Sequence, residues 1–141
     1  MTLNFLVKNF QSRPDSFLSL DVFLNNEKKY SIDRCTDNDY KFTFSISKDS
    51  KIYFILKNKN PKDSILKGDH VVKDTFLKIE KIDIDGFDII DSINLFSNYY
   101  TSKNGVIRTN GFMTYNGTYV FKFRYPLSRH LVLCEYYTPI K

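Results

Sequence analysis

Six aspartates crowd one stretch of this 141-residue chain: Asp69, Asp74, Asp83, Asp85, Asp88 and Asp91. Calcium takes several hard oxygen ligands, carboxylates together with loop carbonyls, and a loop at a sheet edge gathers them from separated positions. On that chemistry a calcium ion would be held by the loop carrying Asp69 and Asp74, helped by Asp83 or Asp85. The spacing is not that of an EF-hand. A plainer reading stands beside it, in which the six are solvated strand-edge and turn residues. No other cofactor is suggested by the sequence.

Catalytic chemistry finds few parts. A serine or cysteine nucleophile needs a base within hydrogen-bond reach. The two histidines, His70 in a polar stretch and His130 at the start of a predicted strand, lie outside any catalytic motif and read as ordinary, partly exposed side chains. The five glycines are spaced as turn residues, so no phosphate-cradling loop is expected. Cys35 and Cys134 stand far apart without the paired spacing of a zinc site, which leaves them as buried or half-buried free thiols. The chain is therefore read as a non-enzyme.

Binding has more to work with. Tyrosine joins an apolar ring to a hydroxyl that still bonds, which suits stacking on a sugar ring or burial against a neighbouring subunit. Tyr99, Tyr100, Tyr136 and Tyr137 fall in predicted loop or terminal segments with no evident core position, and they are assigned to a protein interface; Tyr115 is a further exposed candidate. Asn116-Gly117-Thr118 matches a glycosylation acceptor, but the same residues form the expected turn. A formal charge of +5 and a pI near 9.1 favour acidic partners. The lysines and arginines are nevertheless scattered singly among acidic residues, so no nucleic-acid partner is expected. No apolar run approaches the roughly 18 residues of a membrane span, and MTLNFLVKNFQ lacks the pattern of a signal peptide, so the sequence predicts no membrane insertion and a mature protein that begins at Met1.

The elements that would position these residues are strands. In YKFTFSIS, Tyr40, Phe42, Phe44 and Ile46 alternate with polar residues, a spacing of two that marks a half-buried strand. SKDS then turns the chain into Ile52–Leu56, predicting a hairpin. An opening strand near Leu3–Phe10 precedes QSRPDS, and Leu18, Leu20, Val22 and Leu24 lead through an Asn25-Asn26 turn to a strand around Tyr30–Ile32. The polar NKNPKDSILKGDHVVKD reads as a surface loop, the best place for function. Leu77 and Ile79 share one parity and Ile82 and Ile84 the other, which predicts a β-bulge near Glu80-Lys81. Gly86 predicts a tight turn into Phe87–Ile90, with room for a short helical turn around Asp88–Phe96. Asn116-Gly117 predicts a hairpin between GFMTY and TYVFKF, and HLVLCEYY a last strand. The whole predicts one domain over residues 1–141, an all-β, two-sheet antiparallel β-sandwich of jelly-roll type. Its core holds Tyr40, Phe42, Phe44, Ile79, Ile82, Ile84, Phe121 and Phe123.

Two segments, DHVVKDTFLKIEKIDIDGFDI and GFMTYNGTYVFKFRYPLSRHLVL, together resemble a small β-sandwich domain of tailed-phage virion proteins, itself similar to calcium-dependent xylan-binding carbohydrate modules. The likeness rests on the aliphatic pattern from Leu77 to Asp85-Gly86 behind an acidic loop, and on Asn116-Gly117 followed by Phe121, Phe123 and Pro126. It implies a non-enzymatic structural component of a virion, a head decoration or a tail, baseplate or fibre subunit, working in an oligomeric assembly through contacts with other virion proteins. The alternative it implies is a calcium-dependent carbohydrate-binding module that recognises host-surface glycan through the acidic loop and nearby tyrosines.

Overall fold

Alternation along the strands decides the architecture. Ser50, Ile52, Phe54 and Leu56 are buried in β5 (Ser50–Lys57) while Lys51 and Lys57 are exposed. A pleated strand sends successive side chains to opposite faces, so each such strand carries one wet and one dry face, and the dry faces must meet. The computed structural model describes residues 1–137, and all of their side chains except those of 62, 133 and 135–137.

The dry faces belong to two antiparallel sheets. The first is built from β1 (Thr2–Phe10), β4 (Asp39–Ser45), β8 (Phe76–Ile84), β9 (Phe87–Asp88) and β12 (Phe112–Met113), in the order β12-β8-β1-β4 with β9 also on β8. The second runs β11 (Gly105–Ile107), β10 (Ser97–Thr101), β13 (Gly117–Phe123), β5, β2 (Ser19–Leu24), β3 (Glu27–Ile32). A detached hairpin, β6 (Ile65–Lys67) with β7 (His70–Lys73), and two helices, α1 (Ile93–Phe96) and α2 (Leu127–Tyr137), complete the described chain. This is the all-β, two-sheet sandwich that the alternation predicts. Between the sheets, Phe5 of β1 lies 5.1 Å from Phe54, 5.3 Å from Phe121 and 5.9 Å, edge on, from Phe44. Of the predicted core, Tyr40 is half-buried at its border and the other seven residues are buried.

The predicted bulge lies where the parity changes: Leu6 pairs with Lys81 and Val7 with Ile79, so Glu80 is the extra residue, and Leu77, Ile79, Ile82 and Ile84 all reach the core. Asp85 and Gly86, with φ of 49° and 88°, make the predicted tight turn between β8 and β9. The stretch Asp88–Phe96, where the sequence leaves room for a short helical turn, holds a 3-10 turn, Ile90–Ser92, followed by α1. The free edge of β4 is covered from the other sheet: the Tyr30 hydroxyl donates to Thr43 O (3.1 Å) and accepts from Thr43 N–H (3.3 Å).

Three expectations are corrected. Tyr40–Ser47 and Ile52–Leu56 form no hairpin, because β4 pairs with β1 and β5 with β2 and β13, so SKDS carries the chain from one sheet to the other. Alternation fixes the buried face but not the neighbouring strand. Nor does Asn116-Gly117 close a hairpin: β12 pairs with β8, and β13 with β10 and β5. Gly117 serves close approach instead, since a Cβ there would stand 2.4 Å from the Tyr100 carbonyl oxygen. Finally, HLVLCEYY lies in α2. Leu127, His130, Leu131 and Cys134 recur at helical spacing and turn to the core, which makes His130 fully buried where a partly exposed strand residue was expected. Both cysteines are buried, and burial pushes the Cys35 thiol up to about 12.

Candidate functional site

The loop predicted to carry function caps one end of the sandwich. β5 leaves the sheet at Lys57, and Asn58 turns the chain at φ 68°. Asn60 N–H then donates to Asp63 Oδ2 (2.7 Å) across the 3-10 turn Pro61–Asp63. Asp63 is buried, and its carbonyl accepts from Thr75 N–H (3.1 Å) and Ser12 Oγ (2.6 Å), pinning the loop to the entrance of β8. The β6–β7 hairpin then projects outward with Leu66, Val71 and Val72 exposed.

Lys59 ties these pieces together. Its side chain is only 11% exposed, and its ammonium donates to Asp74 Oδ1 and to the Thr75 carbonyl. The same carboxylate oxygen accepts from Ser64 Oγ (2.8 Å) and Thr75 N–H (2.9 Å). The backbone of Lys59 is held from the other side, where its N–H donates to Asn116 Oδ1 (2.8 Å) and its carbonyl accepts from Asn116 Nδ2 (2.9 Å). One residue thus joins three segments, the 58–64 loop and the start of β8 through its side chain and the link between β12 and β13 through its backbone.

A cleft of about 520 Å³ opens beside this junction. Tyr115, Leu66 and Val71 give it an apolar wall, and Asp74, Ser64, Ser102, Lys103 and Thr114 bring polar groups to the same space. Tyr115 is 41% exposed, and its backbone is held because Tyr99 Oη donates to the Tyr115 carbonyl. Burial raises the Tyr99 phenol above its ordinary value of 10, so it remains a donor. The printed contacts of Asp74 all fall on Oδ1, and the residue lines the cleft. An apolar wall with a few convergent polar groups is the usual make-up of a small-molecule site.

The four aspartates assigned to calcium are not brought together. Asp69 is exposed in the β6–β7 turn, and Asp74 is engaged by Lys59. Asp83 accepts from Asn4 Nδ2 (3.0 Å) and Asp85 from Thr2 N–H (2.7 Å), at the far end of β8. Along an extended strand that separation from Asp74 is about 25–30 Å. Among the described residues no group of three or more His, Cys, Asp or Glu side chains is placed to hold a metal ion.

The interface tyrosines divide as well. Tyr99 is a core residue, fully buried and stacked on Tyr119 at 5.2 Å, because its parity in β10 points inward. Tyr100 points outward, 42% exposed beside Val106 on the second sheet's outer face. Tyr136 and Tyr137 end α2, and their side chains lie outside the described residues. A surface the sequence reading missed lies on the first sheet's outer face. There Phe10 stacks on Phe76 at 4.7 Å, Phe76 lies 5.7 Å from Phe112, and Lys78 sits over the Phe112 ring at 4.8 Å. Phe10 and Phe76 were legible as phenylalanines on the polar parity of their strands.

No protein-family model matches the chain, and no curated protein matches it. Among solved structures, a carbohydrate-binding module, vCBM60 in complex with galactobiose, aligns with 88% of this chain and 98% of its own at 11% identity and a TM-score of 0.45.

Proposed function

We propose that the chain is a non-catalytic binding module that takes a carbohydrate in the cleft beside Tyr115. The observation that carries this reading is that one exposed aromatic residue, a carboxylate and several hydroxyl-bearing residues line the same cleft of about 520 Å³. A sugar ring presents an apolar face for the tyrosine and hydroxyls for Asp74 Oδ2, Ser64, Ser102 and Thr114. Hydrolysis of a glycosidic bond is ordinarily run by a pair of carboxyl groups flanking it, and Asp74 is the one carboxylate among the residues lining the cleft. The chemistry is therefore recognition. Calcium has no part in the reading, because its proposed ligands stand apart.

A panel of di- to hexasaccharides, galactobiose among them, followed by calorimetric titration of the binders, tests it. A panel member should bind the parent, and Tyr115→Ala should weaken it by about tenfold with the fold intact by circular dichroism. Equal affinity in the variant, or no binder at all, overturns the reading. A second reading, a subunit of an assembly such as a tailed-phage virion, is favoured by one observation. Phe10, Phe76 and Phe112 place a cluster of apolar rings on an outer sheet face, where another protein could cover them.

A further inference from the structure

Resting on the carbohydrate reading, we propose that Lys59 is the internal cation of the cleft: its ammonium organises the binding loop in the place a divalent ion would take, and ligand binding needs no metal. A calcium ion would require six to eight oxygen ligands. Here the acidic loop offers Asp74 Oδ1 and the Thr75 carbonyl, and a side-chain ammonium of the chain itself already sits on both. The pairing satisfies the physical requirement for a nearly buried charge, which is costly unless it is matched and hydrogen-bonded.

Position is built in from both ends of the residue. Asn116 grips the backbone of Lys59 with two hydrogen bonds of 2.8 and 2.9 Å, and Ser64 and the Thr75 N–H orient the receiving carboxylate. Pulling Lys59 out would remove one of the ties between the 58–64 loop and the β8 entrance, the Asp63 and Ser64 bonds remaining, and would leave Asp74 partly buried without a counter-charge. An ammonium carries three N–H donors. Two meet protein oxygens, and Lys59 lines the cleft, so the third is available to a ligand oxygen. Lys59 is thus a positioning residue that also touches ligand, and the pair it forms with Asp74 adds no net charge to the cleft.

The test uses the full chain and the oligosaccharide that binds it best. The parent should bind with the same affinity in excess EDTA and in millimolar calcium. Lys59→Ala should lose about tenfold or more in affinity and melt at a lower temperature. Propylammonium added to Lys59→Ala should recover part of both losses, whereas the neutral propanol should not. Loss of the parent's binding in EDTA overturns the proposal, as does a Lys59→Ala variant that binds and melts like the parent. Equal recovery with ammonium and alcohol also overturns it, because Lys59 would then act only through its hydrocarbon stem. If no oligosaccharide binds, the carbohydrate reading falls, and the melts with ammonium and alcohol still decide whether Lys59 acts as the cation of this loop.

Discussion

Acid should loosen this protein through a single side chain. His130 is fully buried, with its ring centre 4.9 Å from that of Phe96 and 5.2 Å from that of Phe123. Its Nδ1 accepts from the Arg124 N–H at 3.2 Å, so the proton resides on Nε2, which has no partner among the described residues. Burial first, and the nearby Arg124 charge second, lower it from 6.5 to about 4. An unfolded chain binds a proton at His130 below about 6.5 and the native chain does not until about 4, so stability falls as pH drops through that window. The difference converts to about 3 kcal/mol at its limit, with about 2 kcal/mol already lost at pH 5. For a chain of this size the loss at pH 5 lowers Tm by roughly 6–8 °C. Asp21 and Asp49 are held below their ordinary value of 3.8, so their stabilising effects fade only at lower pH and leave the window clear. Thermal melts of the parent and of His130→Asn from pH 7 to pH 4 provide the assay, since the asparagine oxygen can still accept from Arg124. The variant starts lower because ring packing is lost, but its slope across the window should be much shallower. Equal slopes in both proteins would refute the reasoning.

Two further outcomes follow from the core. Phe121 is fully buried between Phe5, Phe54 and Tyr119, so Phe121→Ala should cost about 3–5 kcal/mol in chemical denaturation, and a midpoint equal to the parent's would contradict the packing. The Cys35 thiol, buried and pushed up to about 12, should resist iodoacetamide at pH 8 in the native protein and react on denaturation; rapid native labelling at Cys35 would show that its site opens to solvent.

The fold was legible wherever a strand had one dry face. Phe42 and Phe44, Phe121 and Phe123, and the parity change across Glu80 each report directly on burial, because a strand of one wet and one dry face leaves no choice of side. Pairing was less legible. Nothing in SKDS distinguishes a hairpin turn from a crossing between sheets, and Asn116-Gly117 has turn chemistry although its asparagine holds Lys59 and its glycine makes room for Tyr100. The helical spacing of Leu127, His130, Leu131 and Cys134 was present but masked by the alternation of HLVL. At the candidate site, Tyr115 and the 58–74 loop could be singled out by composition. The part played by Lys59 could not, since a lysine in a polar loop looks the same whether it is solvated or held by three segments.

The contact of Tyr30 with β4 bears on how copies of this chain can meet. An open edge strand is a template on which another polypeptide can add its own strand and then a next one. At Thr43 both edge groups are already taken by one phenol from the opposite sheet. The outermost strand of the other sheet begins with Glu27, Lys28 and Lys29, whose charges disfavour a flat, continuous junction. Growth into a ribbon by strand addition is obstructed at both places, so a strand added to either sheet would have to use its opposite edge, at β9 and β12 or at β11.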